Sequence, residues 1–96
     1  MLKEAPIFNL SKYIELRDER PHIRGRRVSV ATIAHSAQTH GWDVPTLCEQ
    51  FTLSQTEVLS ALLYYSEYGV QIEAQEEAYQ HELDEAQKAF DERQNR

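Results

Sequence analysis

The chain has little of several features that define common protein classes. Its 96 residues include one cysteine, Cys48, so no disulfide can form within the chain. This cysteine falls in a helix-like apolar pattern, which favours a buried, inert thiol over a reactive one. No apolar run approaches the roughly 20 residues of a membrane span, and the N-terminal residues 1–4 do not resemble a signal peptide. We therefore expect a cytoplasmic protein that does not enter a membrane.

Residue patterns that carry out catalysis are equally sparse. The four histidines lie in different predicted elements, and no second cysteine accompanies Cys48, so the spacing of a metal site is missing. The sequence also lacks a glycine-rich phosphate loop, a nucleophile elbow and a Ser-His-Asp order. We predict a protein that is not an enzyme and that uses no metal, cofactor or small-molecule substrate.

Charge is divided unevenly along the chain, which carries a formal net charge of -6. Residues 1–42 contain seven Lys and Arg against four Asp and Glu, whereas residues 43–96 contain three against twelve. A basic first half can meet phosphates, and an acidic second half can meet a basic or apolar protein surface. We divide the chain into a domain at residues 1–72 and an acidic C-terminal helix or tail at residues 73–96. Since so small a domain has a thin core, we also expect a homodimer.

A short hairpin is predicted near the start of the domain. Residues 5–16 alternate weakly between apolar and polar, and they fit a short strand or a turn equally well. The clearer signal follows, where residues 22–24 and 27–30 form two extended pieces joined at Gly25, at which a positive φ costs little.

Helical signals fill the rest of the domain. Apolar residues recur at helical spacing from Val30 to His40, and Gly41 lies where a helix would end. Asp43 is a good N-cap for a second helix that runs to Phe51. Residues 54–57, Ser-Gln-Thr-Glu, form a capping box for a third helix, with Gly69 as its natural end. The short link between the last two helices indicates a three-helix, homeodomain-like helix-turn-helix, although a generic helical hairpin would show similar caps. The expected fold is mainly α, with a short N-terminal β-hairpin and a long C-terminal helix.

Two stretches resemble a known family. Residues 21–30, Pro-His-Ile-Arg-Gly-Arg-Arg-Val-Ser-Val, are similar to the entry motif of the DUF433 family, "P-x-I-x-G-T-R-I-x-V". The positions Gly41, Phe51, Leu53, Val58, Ala61, Leu62, Tyr64 and Tyr65 resemble the stretch that ends in that family's Tyr-Tyr pair. The chain departs from the pattern where it has Glu19-Arg20 in place of a Gly-Gly pair and Arg26 in place of Thr.

The resemblance implies a small dimeric antitoxin of a type II toxin-antitoxin pair. Such an antitoxin binds a PIN-like ribonuclease toxin and can bind its own promoter DNA. Kinship does not fix function. The alternative is a non-catalytic dimeric protein-interaction module that does not bind DNA.

The residues offer a candidate surface for each partner. Basic side chains for DNA phosphates are Arg20, Arg24, Arg26 and Arg27, which could instead pair with carboxylates of the second half. The start of the third helix adds Ser54, Gln55 and Thr56 as polar DNA contacts. A narrow apolar stripe for a partner protein consists of Ile72, Tyr79, Leu83 and Phe90, interrupted by Glu76. This tail either orders on a partner or packs on its own domain or on a second copy. Arg93 and Arg96 could reach an acidic nuclease site or simply offset the helix dipole.

Overall fold

The structure is a computed structural model that describes residues 9–94. It is mainly helical, with a two-stranded hairpin before three α-helices, as the sequence predicts. A short 3-10 turn at Leu10–Lys12 precedes strands β1 (Ile14–Arg17) and β2 (Arg20–Ile23). Helices α1 (Val30–His40), α2 (Val44–Phe51) and α3 (Gln55–Gln94) follow. No helix in this part of the chain is long and apolar enough to cross a membrane.

The hairpin lies earlier in the chain than the sequence signals place it. Strands β1 and β2 are antiparallel, with Ile14 opposite Ile23 and Arg17 opposite Arg20. The predicted pieces 22–24 and 27–30 meet only at a single bridge between His22 and Ser29. Pairing β1 with β2 buries both Ile14 and Ile23, which explains why this register is preferred. The ambiguous stretch 5–16 thus supplies β1, and its first residues, 5–8, lie outside the described part.

Two tight turns shape this region. The two-residue turn of the hairpin is formed by Asp18 and Glu19, which adopt positive φ angles of 51° and 65°. Two such angles in succession define a turn that favours Asn-Gly. Gly25 also has a positive φ of 74°, as predicted, and its N–H donates to Glu15 Oε2 at 3.1 Å. The chain therefore turns back sharply after β2 and enters α1.

The predicted cap at Asp43 and the predicted end of α1 at Gly41 are confirmed. Gly41 ends α1 with a φ of 66°, and Ser29, for which no cap was predicted, accepts from the N–H of Thr32 at the start of this helix. Asp43 accepts from the N–H of Thr46 at the start of α2. These caps satisfy backbone donors that a helix leaves without internal partners. They set the boundaries of the two short helices.

The third helix breaks at Tyr68, one residue before its predicted end at Gly69: Tyr68 lies outside the helical region, with φ and ψ of -119° and 22°. A second helical segment continues directly from this kink to Gln94, and Gly69 does not adopt the positive φ of a glycine that ends a helix. It continues because residues beyond Gly69 are held by the rest of the domain. Ile72 is only 2% exposed and lies in the core. The described chain is consequently elongated, 75 Å long and 25 by 23 Å across.

The core lies where α3 crosses α1, α2 and the hairpin. Its buried residues come from every element of the domain and are Ile14, Ile23, Val30, Ala31, Ile33, Leu47, Leu53, Val58, Ala61 and Ile72. Cys48 is partly buried and packs against this core. Residues 77–94 of α3 are all exposed and extend beyond the core. The fold therefore presents a small domain and a helix that projects from it.

Candidate interaction surfaces

The four arginines predicted to contact DNA lie in two separate places. Arg20 faces the base of the projecting part of α3, where its Nε and Nη2 donate to the two carboxylate oxygens of Glu76 at 2.8 and 3.1 Å. Its guanidinium also lies 3.9 Å from the centre of the Tyr79 ring. Both charged side chains are largely buried, at 17% and 22% exposure. Arg20 thus realises the alternative in which the arginines pair with the acidic half of the chain.

Glu76 also affects the ionisation of Arg20. The hydrogen-bonded carboxylate raises the pKa of Arg20, although partial burial opposes the rise. A planar guanidinium matches a carboxylate with two parallel hydrogen bonds, which a lysine could not do. The contact therefore fixes the direction in which the helix leaves the domain.

The other three arginines belong to the turn at residues 24–27. Arg24 donates to the backbone carbonyls of Ser11 and Ile14 at 2.7 and 3.0 Å, so it connects this turn to β1. Arg26 lies 3.8 Å from Glu57, and its side chain is 47% exposed. Arg27 is exposed, and no carboxylate among residues 9–94 pairs with it. Arg24 therefore has a structural role, whereas Arg26 and Arg27 remain accessible.

The start of α3 carries the three polar residues predicted to contact DNA. The capping box is confirmed by two reciprocal hydrogen bonds, from the Ser54 N–H to Glu57 Oε1 (2.8 Å) and from the Glu57 N–H to Ser54 Oγ (3.1 Å). Gln55 and Thr56 are exposed beside it. Because Glu57 also contacts Arg26, the turn and the helix start lie together. We call this the loop–helix surface; it consists of Arg26, Arg27, Ser54, Gln55 and Thr56.

The apolar stripe predicted to bind a partner divides into a covered and an uncovered part. Ile72 is buried in the core and is not available to a partner, and Tyr79 lies against Arg20. Leu83 and Phe90 are 45% and 57% exposed. We call residues 77–94 the projecting helix. Arg93 is exposed within it, and Arg96 lies outside the described residues.

Carboxylates occupy the side of the projecting helix opposite to the stripe. At 100° per residue, two successive pairs of acidic residues and the preceding Glu77 lie on one side, between about 80° and 180° around the helix from Leu83. This acidic side consists of Glu77, Asp84, Glu85, Asp91 and Glu92 and also carries Lys88. Side-chain amides of Gln80 and Gln87 donate to Asp84 and Asp91 one turn away, at 3.2 and 3.0 Å. The helix is therefore apolar on one side and negative on the other.

A second cluster holds the base of this helix to α1. Glu73 Oε2 accepts from the Tyr65 hydroxyl at 2.5 Å and lies 2.6 Å from His35 Nε2. The Tyr65 hydroxyl, followed by His35, lowers the pKa of Glu73, and the same carboxylate raises the pKa of Tyr65. The cluster spans the kink at Tyr68 and ties the segments on either side of it together. Within the described residues, no three His, Cys, Asp or Glu side chains come together as they would around a metal ion.

Sequence reasoning missed Glu76 and Glu73 as anchoring residues. Glu76 interrupts an apolar stripe, and a carboxylate at such a position signals that a basic side chain lies opposite. Nothing in the spacing identifies that partner as Arg20, because the two are 56 positions apart. Glu73 gives no comparable signal, since it is the first of several acidic residues in a polar stretch of the sequence.

Comparison with known proteins identifies the domain. A protein-family model described as "Protein of unknown function (DUF433)" matches residues 15–65. The match runs from β1 to the Tyr64-Tyr65 pair and stops before the kink, so it does not include the projecting helix. Neither the curated proteins nor the solved structures gave a match to this chain. Since the matched residues make up more than half of the chain, it belongs to the DUF433 family.

Proposed function

We propose that this protein is a non-catalytic antitoxin that binds a PIN-like ribonuclease through the acidic side of its projecting helix. The observation that carries the proposal is the helix itself, which extends beyond the core with carboxylates along one side. The family resemblance implies that the toxin is a PIN-like ribonuclease. The negative charge of the helix is the physical reason for assigning its acidic side as the surface that binds this toxin.

A ribonuclease binds a chain of phosphates and therefore presents positive charge where the RNA lies. A helix with a row of carboxylates is complementary to such a surface and competes with RNA for it. The helix is also pre-organised at its base by Glu73 and Glu76, which bind α1 and β2 respectively. Because its direction is fixed before binding, less ordering entropy is lost on association.

Capture of the toxin from cells that encode this protein tests the proposal. The tagged protein should recover a small PIN-like ribonuclease after nuclease treatment, which removes partners held only through nucleic acid. Glu85→Gln with Glu92→Gln removes two charges from the acidic side and should weaken recovery at least tenfold. The control, Glu49→Gln with Glu67→Gln, removes the same charge from exposed positions elsewhere and should recover as much toxin as the wild type. Equal recovery by both variants would refute the assignment of the acidic side.

A second candidate function is binding to promoter DNA, and the loop–helix surface favours it. Arg27 is exposed without a carboxylate partner in the described chain, and it follows Arg26, which contacts Glu57 at the polar start of α3. Phosphate contacts by Arg26 and Arg27 would make binding strongly dependent on salt. Glu57 weakens the case, because its negative charge lies within the same surface.

The salt dependence of binding to DNA from upstream of the gene tests this second function. Arg26→Gln with Arg27→Gln should reduce the slope of log affinity against log salt by about 2. Lys12→Gln with Lys88→Gln changes the net charge equally and should leave the slope in place. No binding by the wild type would leave the alternative, a dimeric interaction module that does not bind DNA.

A further inference from the structure

An apolar groove runs between the hairpin and helix α3. Its two halves, of about 330 and 370 Å³, share three lining residues and therefore form one continuous groove. The apolar residues along it are Ile14, Leu16, Pro21, Tyr64, Tyr68 and Ile72. We call this the hairpin groove.

Leu16 lies on the face of β1 that packs on the core, yet it is uncovered. Ile14, two residues earlier on the same face of the strand, is 7% exposed, whereas Leu16 is 65% exposed. Pro21, the cross-strand neighbour of Leu16, is buried, and Tyr68 on the α3 side of the groove is 43% exposed. A strand face that is buried at one end and open at the other, beside an exposed aromatic ring, is typical of a surface that another apolar segment covers.

We propose that residues 1–8 of the same chain occupy the hairpin groove. The described chain begins at Asn9, and the next residue, Leu10, lines one end of the groove. Six of these eight residues are apolar, and the other two, Lys3 and Glu4, carry opposite charges. A neutral, mainly apolar segment thus joins the chain at the mouth of an apolar groove.

The segment is also long enough to fill the groove. On the α3 side the lining extends from Tyr64 to Gln75. At 1.5 Å per residue that side is about 17 Å long, whereas eight extended residues span about 26 Å. Residues 1–8 therefore reach from Leu10 to the far end of the groove, where Pro21 and Ile72 lie.

Covalent attachment favours this segment over a separate partner. A segment tethered beside its site has an effective concentration on the order of millimolar, so any free ligand must compete with it. Docking would also connect the hairpin to α3 at Tyr68, where the helix changes direction. The proposal does not rest on the antitoxin function, because the groove lies apart from the acidic side of the projecting helix, and either assignment can fail alone.

Thiol labelling of the full chain tests whether residues 1–8 cover the groove. Cys48→Ala first removes the one native thiol, and Gln71→Cys then places a thiol at the edge of the groove half that is farther from Asn9. Adding Ile7→Ser with Phe8→Ser should release the segment and speed labelling of this thiol several-fold in the folded protein. Gln55→Cys, exposed at the start of α3, is the control and should be labelled at the same rate with either N-terminal sequence.

Two results of this labelling would overturn the proposal. A thiol at position 71 that reacts as fast before the N-terminal substitutions as after them means that the groove is open. A thiol that is protected only at high protein concentration, whatever the N-terminal sequence, means that a second copy covers the groove.

Urea unfolding provides an independent measurement. Ile7→Ser with Phe8→Ser should raise the equilibrium constant for unfolding at least about tenfold, because two apolar side chains lose their burial. The same pair should have a clearly smaller effect when Leu16→Ser has already removed an apolar wall of the groove. Lys3→Ser with Glu4→Ser changes the same segment without removing an apolar side chain and should leave the constant unchanged. An equal effect with and without Leu16 would place residues 7 and 8 elsewhere and overturn the proposal.

Discussion

Arg20 and Glu76, 56 positions apart, are joined by two hydrogen bonds that tie strand β2 to helix α3. The pair lies at the edge of the core, one turn beyond the last buried residue of the helix, Ile72. Tyr79 extends the contact by lying beneath the guanidinium. The domain therefore holds α3 past the point where burial alone would hold it.

Removing either partner of this ion pair should destabilise the domain. Arg20→Gln leaves a largely buried carboxylate without its donor, and Glu76→Gln leaves a largely buried guanidinium without its charge. Each should lower the free energy of unfolding by about 1–3 kcal/mol, the range for hydrogen bonds to charged groups. Urea unfolding of both variants measures this change.

The double variant Arg20→Gln with Glu76→Gln separates the interaction between these two residues from the interactions that each makes with the rest of the domain. If the two residues act through each other, the losses of the single variants should not add, and the coupling should reach about 1 kcal/mol. Arg17→Gln is the matched control, because Arg17 pairs with Glu15 at 2.8 Å but is 40% exposed. That exposed pair should contribute little to the free energy of unfolding, because solvent screens it. Additive losses at Arg20 and Glu76 would contradict the prediction.

The cluster of Glu73, Tyr65 and His35 predicts a pH dependence of stability. The pKa of Glu73 is lowered in the folded protein, chiefly by the Tyr65 hydroxyl and then by His35. The unfolded chain therefore binds a proton on this carboxylate at a higher pH than the folded chain does. The stability it contributes is present above the ordinary value of about 4.5 and is lost as the pH falls through the lowered folded pKa.

Unfolding at a series of pH values checks this prediction. The difference in free energy of unfolding between the wild type and Glu73→Gln should be largest near neutral pH and should shrink below about pH 4.5. Tyr65→Phe keeps the carboxylate and removes its strongest donor, so it should show a smaller difference in the same window. Curves that run parallel from pH 7 to pH 3 would contradict the assignment.

The helix caps and the glycine turns could be predicted from the sequence, because they depend on interactions between residues close together in the chain. The caps at Asp43 and Ser54 depend on hydrogen bonds between residues three apart, and both form as expected. The Gly25 turn and the αL end of α1 at Gly41 follow from the freedom of glycine at positive φ. The three-helix domain could thus be assembled from the sequence alone.

The features that could not be predicted from the sequence, the hairpin register and the partners of two arginines, are determined by long-range contacts. The hairpin register depends on burying Ile14 against Ile23. The glycine at position 25 suggested instead that the hairpin turn lies there, so β2 was predicted to be the first strand of the hairpin when it is the second. The loop–helix surface was only partly foreseen, since Arg20 and Arg24 turned out to hold other parts of the chain. Such contacts join residues far apart in sequence, which no local spacing encodes.

The hairpin turn predicts a stabilising substitution. Glu19 adopts a φ of 65°, a conformation that costs an L-residue roughly 1 kcal/mol and that glycine adopts freely. Glu19→Gly should therefore raise the free energy of unfolding by about 0.5–1 kcal/mol, less the extra entropy of the unfolded chain. The same substitution at Glu49, inside α2, should lower it by about 1 kcal/mol. Thermal unfolding distinguishes the two, and a destabilised Glu19→Gly would show that the turn has another conformation.

Gly69 provides a test of how the backbone of α3 resumes after the kink at Tyr68. A glycine that ends a helix has a positive φ, so replacing it with alanine introduces strain. In this structure Gly69 directly follows the kink at Tyr68 and does not have a positive φ, and a methyl group there would meet the Tyr65 ring at 3.6 Å, an ordinary contact distance. Gly69→Ala should therefore raise the free energy of unfolding by about 0.5–1 kcal/mol, since alanine is the better helix former. Gly41→Ala, at a φ of 66°, is the control and should lower it. If both variants were destabilised alike, Gly69 would have to adopt a positive φ, as Gly41 does.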